Sequence, residues 1–74
     1  MTVVATRTLH ARPAAALALV LRGNGPVRIE NLTRHRSGDA RSILGILSAG
    51  VRCGDEVLVI GSGEDAVRAA IGGS

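Results

Sequence analysis

The sequence predicts an α+β fold: an open-faced β-sandwich in which a four-stranded, mostly antiparallel sheet carries three helices on one face, in the order βαββαβα. Three observations lead to it. Strand-like and helix-like patterns alternate along the chain with short connections. Residues 26–32 alternate apolar and polar side chains with period two, the pattern of a sheet that is buried on one face and wet on the other. The next strand follows only four residues later, across Thr33-Arg34-His35-Arg36, so the two form a hairpin rather than a crossover. Seventy-four residues hold one small domain, residues 1–74, burying about 60% of the surface its unfolded chain exposes.

Each element has its own warrant. Val3, Val4 and Ala5 lie in a β-branched context and predict a short strand over residues 2–6. From residue 11 to about 22 the chain is rich in Ala and Leu and free of Gly, which favours a helix. Ala14, Leu17, Ala18 and Leu21 fall at i, i+3, i+4 and i+7 and form its inward face. Gly23 is placed to cap that helix, and Asn24-Gly25-Pro26 turns the chain. In the second strand Val27 and Ile29 take the buried face and Arg28 and Glu30 the wet one. A weak third strand over residues 37–41 is made marginal by Gly38 and Asp39.

Ser42 suits an N-cap, and Ile43, Leu44, Ile46 and Leu47 supply a short helix ending at Gly50. Four apolar residues in five positions exceed one narrow stripe. Either some are exposed, as on a docking surface, or the short helix turns more of itself inward. Residues 51–55 read as a loop, with Cys53 a small half-buried hydrophobe. Residues 56–60 form the clearest strand: Val57 and Val59 face the core, leaving Leu58 and Ile60 on the other side as a contact surface. Gly61-Ser62-Gly63 breaks the strand. Residues 64–71 make the last helix, capped by Ser62, with Glu64 and Asp65 complementing its dipole, and it stops at Gly72-Gly73.

Composition narrows the function. Hydrophobic residues at 46% and charged residues at 20% exclude disorder. Aromatic residues are absent, so the core is aliphatic and nothing is available to stack on bases. The net charge of +3 comes from nine scattered Arg with no Lys; it makes nucleic acid a second-choice partner behind acidic protein surfaces. The single Cys53 allows no internal disulfide, and no Cys/His cluster has zinc-ligand spacing, which points to a reducing, cytoplasmic setting. The apolar run of residues 14–21 superficially resembles a signal peptide. It is too short to span a bilayer and is followed by no small-x-small cleavage pattern, so it reads as a buried helix, with no membrane insertion.

One stretch carries chemistry: Leu9-His10-Ala11-Arg12-Pro13-Ala14-Ala15-Ala16. It sets an imidazole and a guanidinium at the start of the first helix. Helix starts present unpaired N–H groups and the positive end of the peptide dipole, which favour an anion by roughly 0.3–1 kcal/mol. Arg12 adds charge-assisted hydrogen bonds. Pro13 falls in the first turn, where its missing N–H removes no helical bond. A nucleophilic ring beside a phosphate cradle suits a residue that accepts a phosphoryl group. On residue types alone, a His beside an Arg is more commonly a simple surface cap. His35, with no acid or thiol near it in sequence, reads as part of a solvated turn.

Two motifs in order resemble a known family. Leu9-His10-Ala11-Arg12-Pro13-Ala14 resembles the phosphohistidine signature, and Arg41-Ser42-Ile43-Leu44-Gly45-Ile46-Leu47-Ser48 the regulatory-serine segment, of HPr, the phosphocarrier family of the bacterial phosphoenolpyruvate-dependent sugar phosphotransferase system. The resemblance implies that His10 receives a phosphoryl group on Nδ1 from phosphorylated enzyme I and passes it to the A domain of a sugar-specific enzyme II. It implies that Arg12 holds the phosphate, that the N–H groups of Ala11 and Arg12 cradle it, and that Ile43, Leu44 and Leu47 dock both partners. Ser42 matches a serine phosphorylated by a dedicated kinase in some members and serving as a cap in others. No metal or organic cofactor is implied, and the expected state is a monomer. Thr8 stands where the family usually has glycine, which stiffens the approach to His10. Two other classes stay open: a regulatory module that docks on a kinase or transcriptional regulator without phosphotransfer, and an Arg-rich nucleic-acid binder.

Overall fold

The computed structural model describes residues 2–72. Its elements are β1 (Thr2–Val4), α1 (Ala11–Val20) with a 3-10 turn (Leu21–Gly23), β2 (Val27–Asn31), β3 (Arg36–Asp39), α2 (Ile43–Ala49), β4 (Glu56–Gly61) and α3 (Glu64–Ile71). The strands form one sheet in the order β1-β4-β2-β3, antiparallel at every pairing. This is the expected βαββαβα open-faced sandwich.

Period-two burial sorts the sheet. Val3, Val27, Ile29, Val57 and Val59 are buried, and with Ala14, Leu17, Leu21, Ile46, Val67 and Ile71 from the helices they make an aliphatic core. Arg28 and Ile60 pair across the other face, as do Glu30 and Leu58. Ile60 is exposed and Leu58 half-buried there. With no large ring to anchor it, the core depends on close aliphatic packing, and truncating Ile29 to Ala would cost about 2–5 kcal/mol.

Several boundaries differ from the sequence reading, each for a local reason. β1 ends at Val4 rather than residue 6, because the chain then bonds outward: Ala5 N–H donates to Asp55 O (2.8 Å), and the amides of Thr6 and Arg7 both turn to Ile71 O. Gly23 is not a left-handed cap. α1 is closed by Leu21 in a right-handed conformation, and Gly23 ends the 3-10 turn that follows. Ser62 does not cap α3; Gly63 does, with φ 89°. A Cβ at Gly63 would meet Leu21 Cδ2 within 2.5 Å, so glycine is needed there for packing as well as conformation. Cys53 is exposed, not half-buried. The helix stop at Gly72-Gly73 holds at Gly72, which has φ 84°; Gly73 lies outside the described residues.

Gly38, which weakens β3 on propensity, has a packing reason instead. A Cβ there would collide with the carbonyl oxygen of Gly45, and a Cβ at Gly45 would collide with the backbone of Asp39. The paired glycines let α2 lie backbone-to-backbone on β3, which fixes how α2 presents its outer side.

Candidate functional site

His10 is held outward by its neighbours. Leu9 is buried, and its N–H donates to Val51 O at 2.9 Å. Ala14, one turn later, is fully buried, and its N–H donates to His10 O at 3.0 Å, the first bond of α1. Between these anchors His10 is the extended N-cap of α1 (φ −78°, ψ 177°), exposed, and its ring makes no capping bond. Pro13 has no N–H, so the free donors of the first turn belong to Ala11 and Arg12. Neither amide has an acceptor among the described residues. No acidic side chain occupies that turn. Arg12 is exposed and forms no ion pair among the described residues, whereas Arg28, Arg34, Arg41 and Arg68 each lie beside a carboxylate. The α1 mouth thus brings together His10, the two cradle amides and an unengaged guanidinium.

The other sequence-picked residues lie on α2. Ser42 is its N-cap, and its Oγ accepts from Gly45 N–H at 3.2 Å. Ile46 and Ala49 point into the core, leaving Ile43, Leu47 and above all Leu44, 77% exposed, on the surface. Of the two arrangements open in the sequence, the helix takes the one that leaves an apolar patch outside. Ser42, Ile43 and Leu44 line a groove of about 450 Å³ whose other wall is Ala15, Leu19 and Arg22 of the α1 segment, with Arg41 at its rim. Ala15 lies about 7.5 Å along the helix axis from His10, from the helical rise per residue. His10 is not among the residues that line the apolar groove. Leu19 and Arg22 were missed in the sequence, although Ala15, Leu19 and Arg22 repeat at i, i+4 and i+7, a second stripe beside the core one.

A family model described as PTS HPr component phosphorylation site matches residues 1–71. The chain belongs to the HPr family. Its fold is similar to that of the histidine-containing phosphocarrier protein of Mycoplasma, with TM-score 0.71 and 25% identity over 99% of this chain and 83% of that one. It is also similar to an HPr from Thermoanaerobacter tengcongensis (TM-score 0.70, 29% identity, 97% and 85% covered) and to the phosphocarrier protein HPr from Bacillus anthracis (0.67, 28%, 97% and 90%). In sequence it is 40% identical over 58 residues to a multiphosphoryl transfer protein of Xanthomonas campestris pv. campestris, a match covering 78% of this chain but only 7% of that protein. Among the described residues no helix is long and apolar enough to cross a membrane.

This HPr-family chain also holds a buried polar cluster that the sequence reading passed over. Asn31 and Asp55 are 1% and 2% exposed. Asp55 Oδ2 accepts from Arg34 Nε (2.7 Å), Asn31 Nδ2 (2.8 Å) and Arg52 N–H (3.0 Å). Asn31 Nδ2 also donates to Ala49 O and Gly50 O, the end of α2, and its Oδ1 accepts from Arg34 N–H. Hydrogen bonds from Arg34 and Asn31 lower the Asp55 pKa from 3.8 to about 2 against the opposing effect of desolvation. One signal was available: the alternation Val27, Ile29, Asn31 puts an amide on the buried face, where it must find partners. His35 is exposed in the β2–β3 turn with φ 56°, as a solvated turn residue.

Proposed function

We propose that this chain is a phosphocarrier of the sugar phosphotransferase system, with His10 as the residue that carries the phosphoryl group. The observation that carries the reading is the α1 mouth: an exposed imidazole on the N-cap residue, next to the N–H groups of Ala11 and Arg12, which have no acceptor among the described residues. The donor is phosphorylated enzyme I, and the acceptor is the A domain of a sugar-specific enzyme II. The Nδ1 lone pair of neutral His10 forms the new N–P bond as the donor's N–P bond breaks, and the donor ring keeps that electron pair. The reverse exchange delivers the group onward. Both phosphoramidates store similar energy, so the chain's task is alignment and charge. The amides of Ala11 and Arg12 and the Arg12 guanidinium stabilise the phosphate oxygens.

Ile43, Leu44 and Leu47 dock the partners, with Leu19 on the opposite wall and Arg22 and Arg41 favouring an acidic rim on them. Ser42 acts as a cap. Residues 1–74 act as one HPr-like domain, monomeric and in the cytoplasm, and need no metal or organic cofactor for the transfer. Incubation with enzyme I and radiolabelled phosphoenolpyruvate is expected to place one acid-labile, base-stable phosphate on the wild-type chain and none on His10→Ala. An unlabelled wild type, or an equally labelled His10→Ala, would overturn the reading.

A further inference from the structure

The lead-in to His10, residues 5–9, has no regular structure of its own. Two neighbours hold it. The C-terminal end of α3 accepts the amides of Thr6 and Arg7 at Ile71 O (2.8 and 3.2 Å). The loop of residues 51–55 holds the rest. Ala5 N–H donates to Asp55 O (2.8 Å), Gly54 N–H to Ala5 O (2.7 Å), Leu9 N–H to Val51 O (2.9 Å) and Cys53 N–H to Thr8 Oγ1 (3.3 Å). The last two bonds fall on the two residues immediately before His10.

That loop is itself a non-repetitive turn, and its shape is set from below by a single carboxylate oxygen. Asp55 Oδ2 gathers the Arg52 amide of the same loop, the Asn31 amide from β2 and the Arg34 guanidinium from the β2–β3 turn. Asn31 in turn grips the two carbonyls that end α2, directly before Val51. These bonds connect β2 and the β2–β3 turn to the loop through Asp55, and the loop to Ala5, Thr8 and Leu9. His10 joins them only through its backbone, its N–H donating to Thr8 O at 3.2 Å. Among the described residues no buried polar side-chain atom of the cluster lacks a partner, so it has one low-energy arrangement.

We infer that Asp55 is a positioning residue for phosphoryl transfer: through residues 51–55 it sets where His10 is held relative to the Ala11 and Arg12 amides. This rests on the phosphocarrier reading above. A small displacement of a reacting group lowers turnover without altering a docking patch on another helix.

The test follows enzyme I turnover with the intact chain as the varied phosphoryl acceptor, at a temperature where each variant is folded by circular dichroism. Asp55→Ala is expected to lower turnover by about 10-fold or more while KM stays within about two-fold, and to shift the backbone amide resonances of Ala11 and Arg12. Asp55→Asn keeps an oxygen for the same three donors and is expected to recover most of the turnover although it loses the charge. Should Asp55→Ala not fold, Thr8→Val decides: it leaves the cluster intact and removes only the Cys53–Thr8 bond, with a smaller loss of turnover expected at unchanged KM. Wild-type turnover in a folded Asp55→Ala, or in Thr8→Val where that variant decides, overturns the positioning role while leaving the phosphocarrier reading intact. So does a loss that appears only as raised KM. A wild type that takes no phosphate overturns both.

Discussion

The N-termini of α1 and α2 start from the same kind of backbone and end in opposite states. Each helix is entered from an extended cap residue, His10 (φ −78°, ψ 177°) or Ser42 (φ −118°, ψ 129°), and neither has an acid in its first turn. At α2 the Ser42 hydroxyl folds back onto the Gly45 amide. At α1 the ring makes no such bond, and the amides of Ala11 and Arg12 point at nothing described in the protein. A self-capped helix end is stable and closed to an outside anion, whereas an uncapped one forgoes about 1 kcal/mol and keeps its donors available. α3 is a third variant, with Glu64 and Asp65 already placed against its dipole. Stability at α1 comes from elsewhere: the burial of Leu9 and Ala14, and a proline in the first turn.

The contrast breaks first at the α1 amides. Ala11→Pro removes one cradle N–H at a helix position that tolerates proline, and His10 before it already has the extended backbone such a residue requires. Its phosphorylation by enzyme I is expected to fall by about 10- to 100-fold with the melting temperature nearly unchanged. Arg12→Met should lower the same rate by about 10-fold, the loss of one charge-assisted contact. At α2 the effect moves from rate to stability. Ser42→Ala is expected to cost about 1 kcal/mol, and Ser42→Gly only a few tenths, in denaturant titrations, with His10 labelling unchanged in both.

A further expectation concerns acid. The Asp55 pKa is lowered from 3.8 to about 2, so its contribution to stability is fully present above the ordinary carboxylate value. It is lost as pH falls through the window between the two. Denaturation midpoints measured down to about pH 2 should drop across that window in the wild type and lose that component in Asp55→Asn.

What was legible in the sequence followed from local chemistry. The period-two run Val27-Arg28-Ile29-Glu30 and the stripe Ala14, Leu17, Ala18, Leu21 each specify a face without reference to any partner, and both faces are where they were expected. Ser42 before an apolar helix ending at Gly50 was equally readable, since caps depend on neighbours within one turn. Features made by distant pairs were not. Gly38 reads as a strand breaker until Gly45 is laid against it. Asp55 reads as a loop acid until Asn31 and Arg34 arrive from 24 and 21 residues away. Gly63 displaced Ser62 as the α3 cap because Leu21 packs where a side chain would stand. Of the α1 mouth, the residue types and their exposure were foreseeable. That its two amides lack acceptors among the described residues could be learned only from coordinates.

Cys53 is exposed, is the sole thiol in a chain without tryptophan or tyrosine, and has its amide tied to the Thr8 hydroxyl. The native sequence therefore supplies its own attachment point for a maleimide dye, two hydrogen-bonded steps from the histidine and against an optically silent background. Motion of that approach during partner encounter becomes observable in real time with no residue replaced.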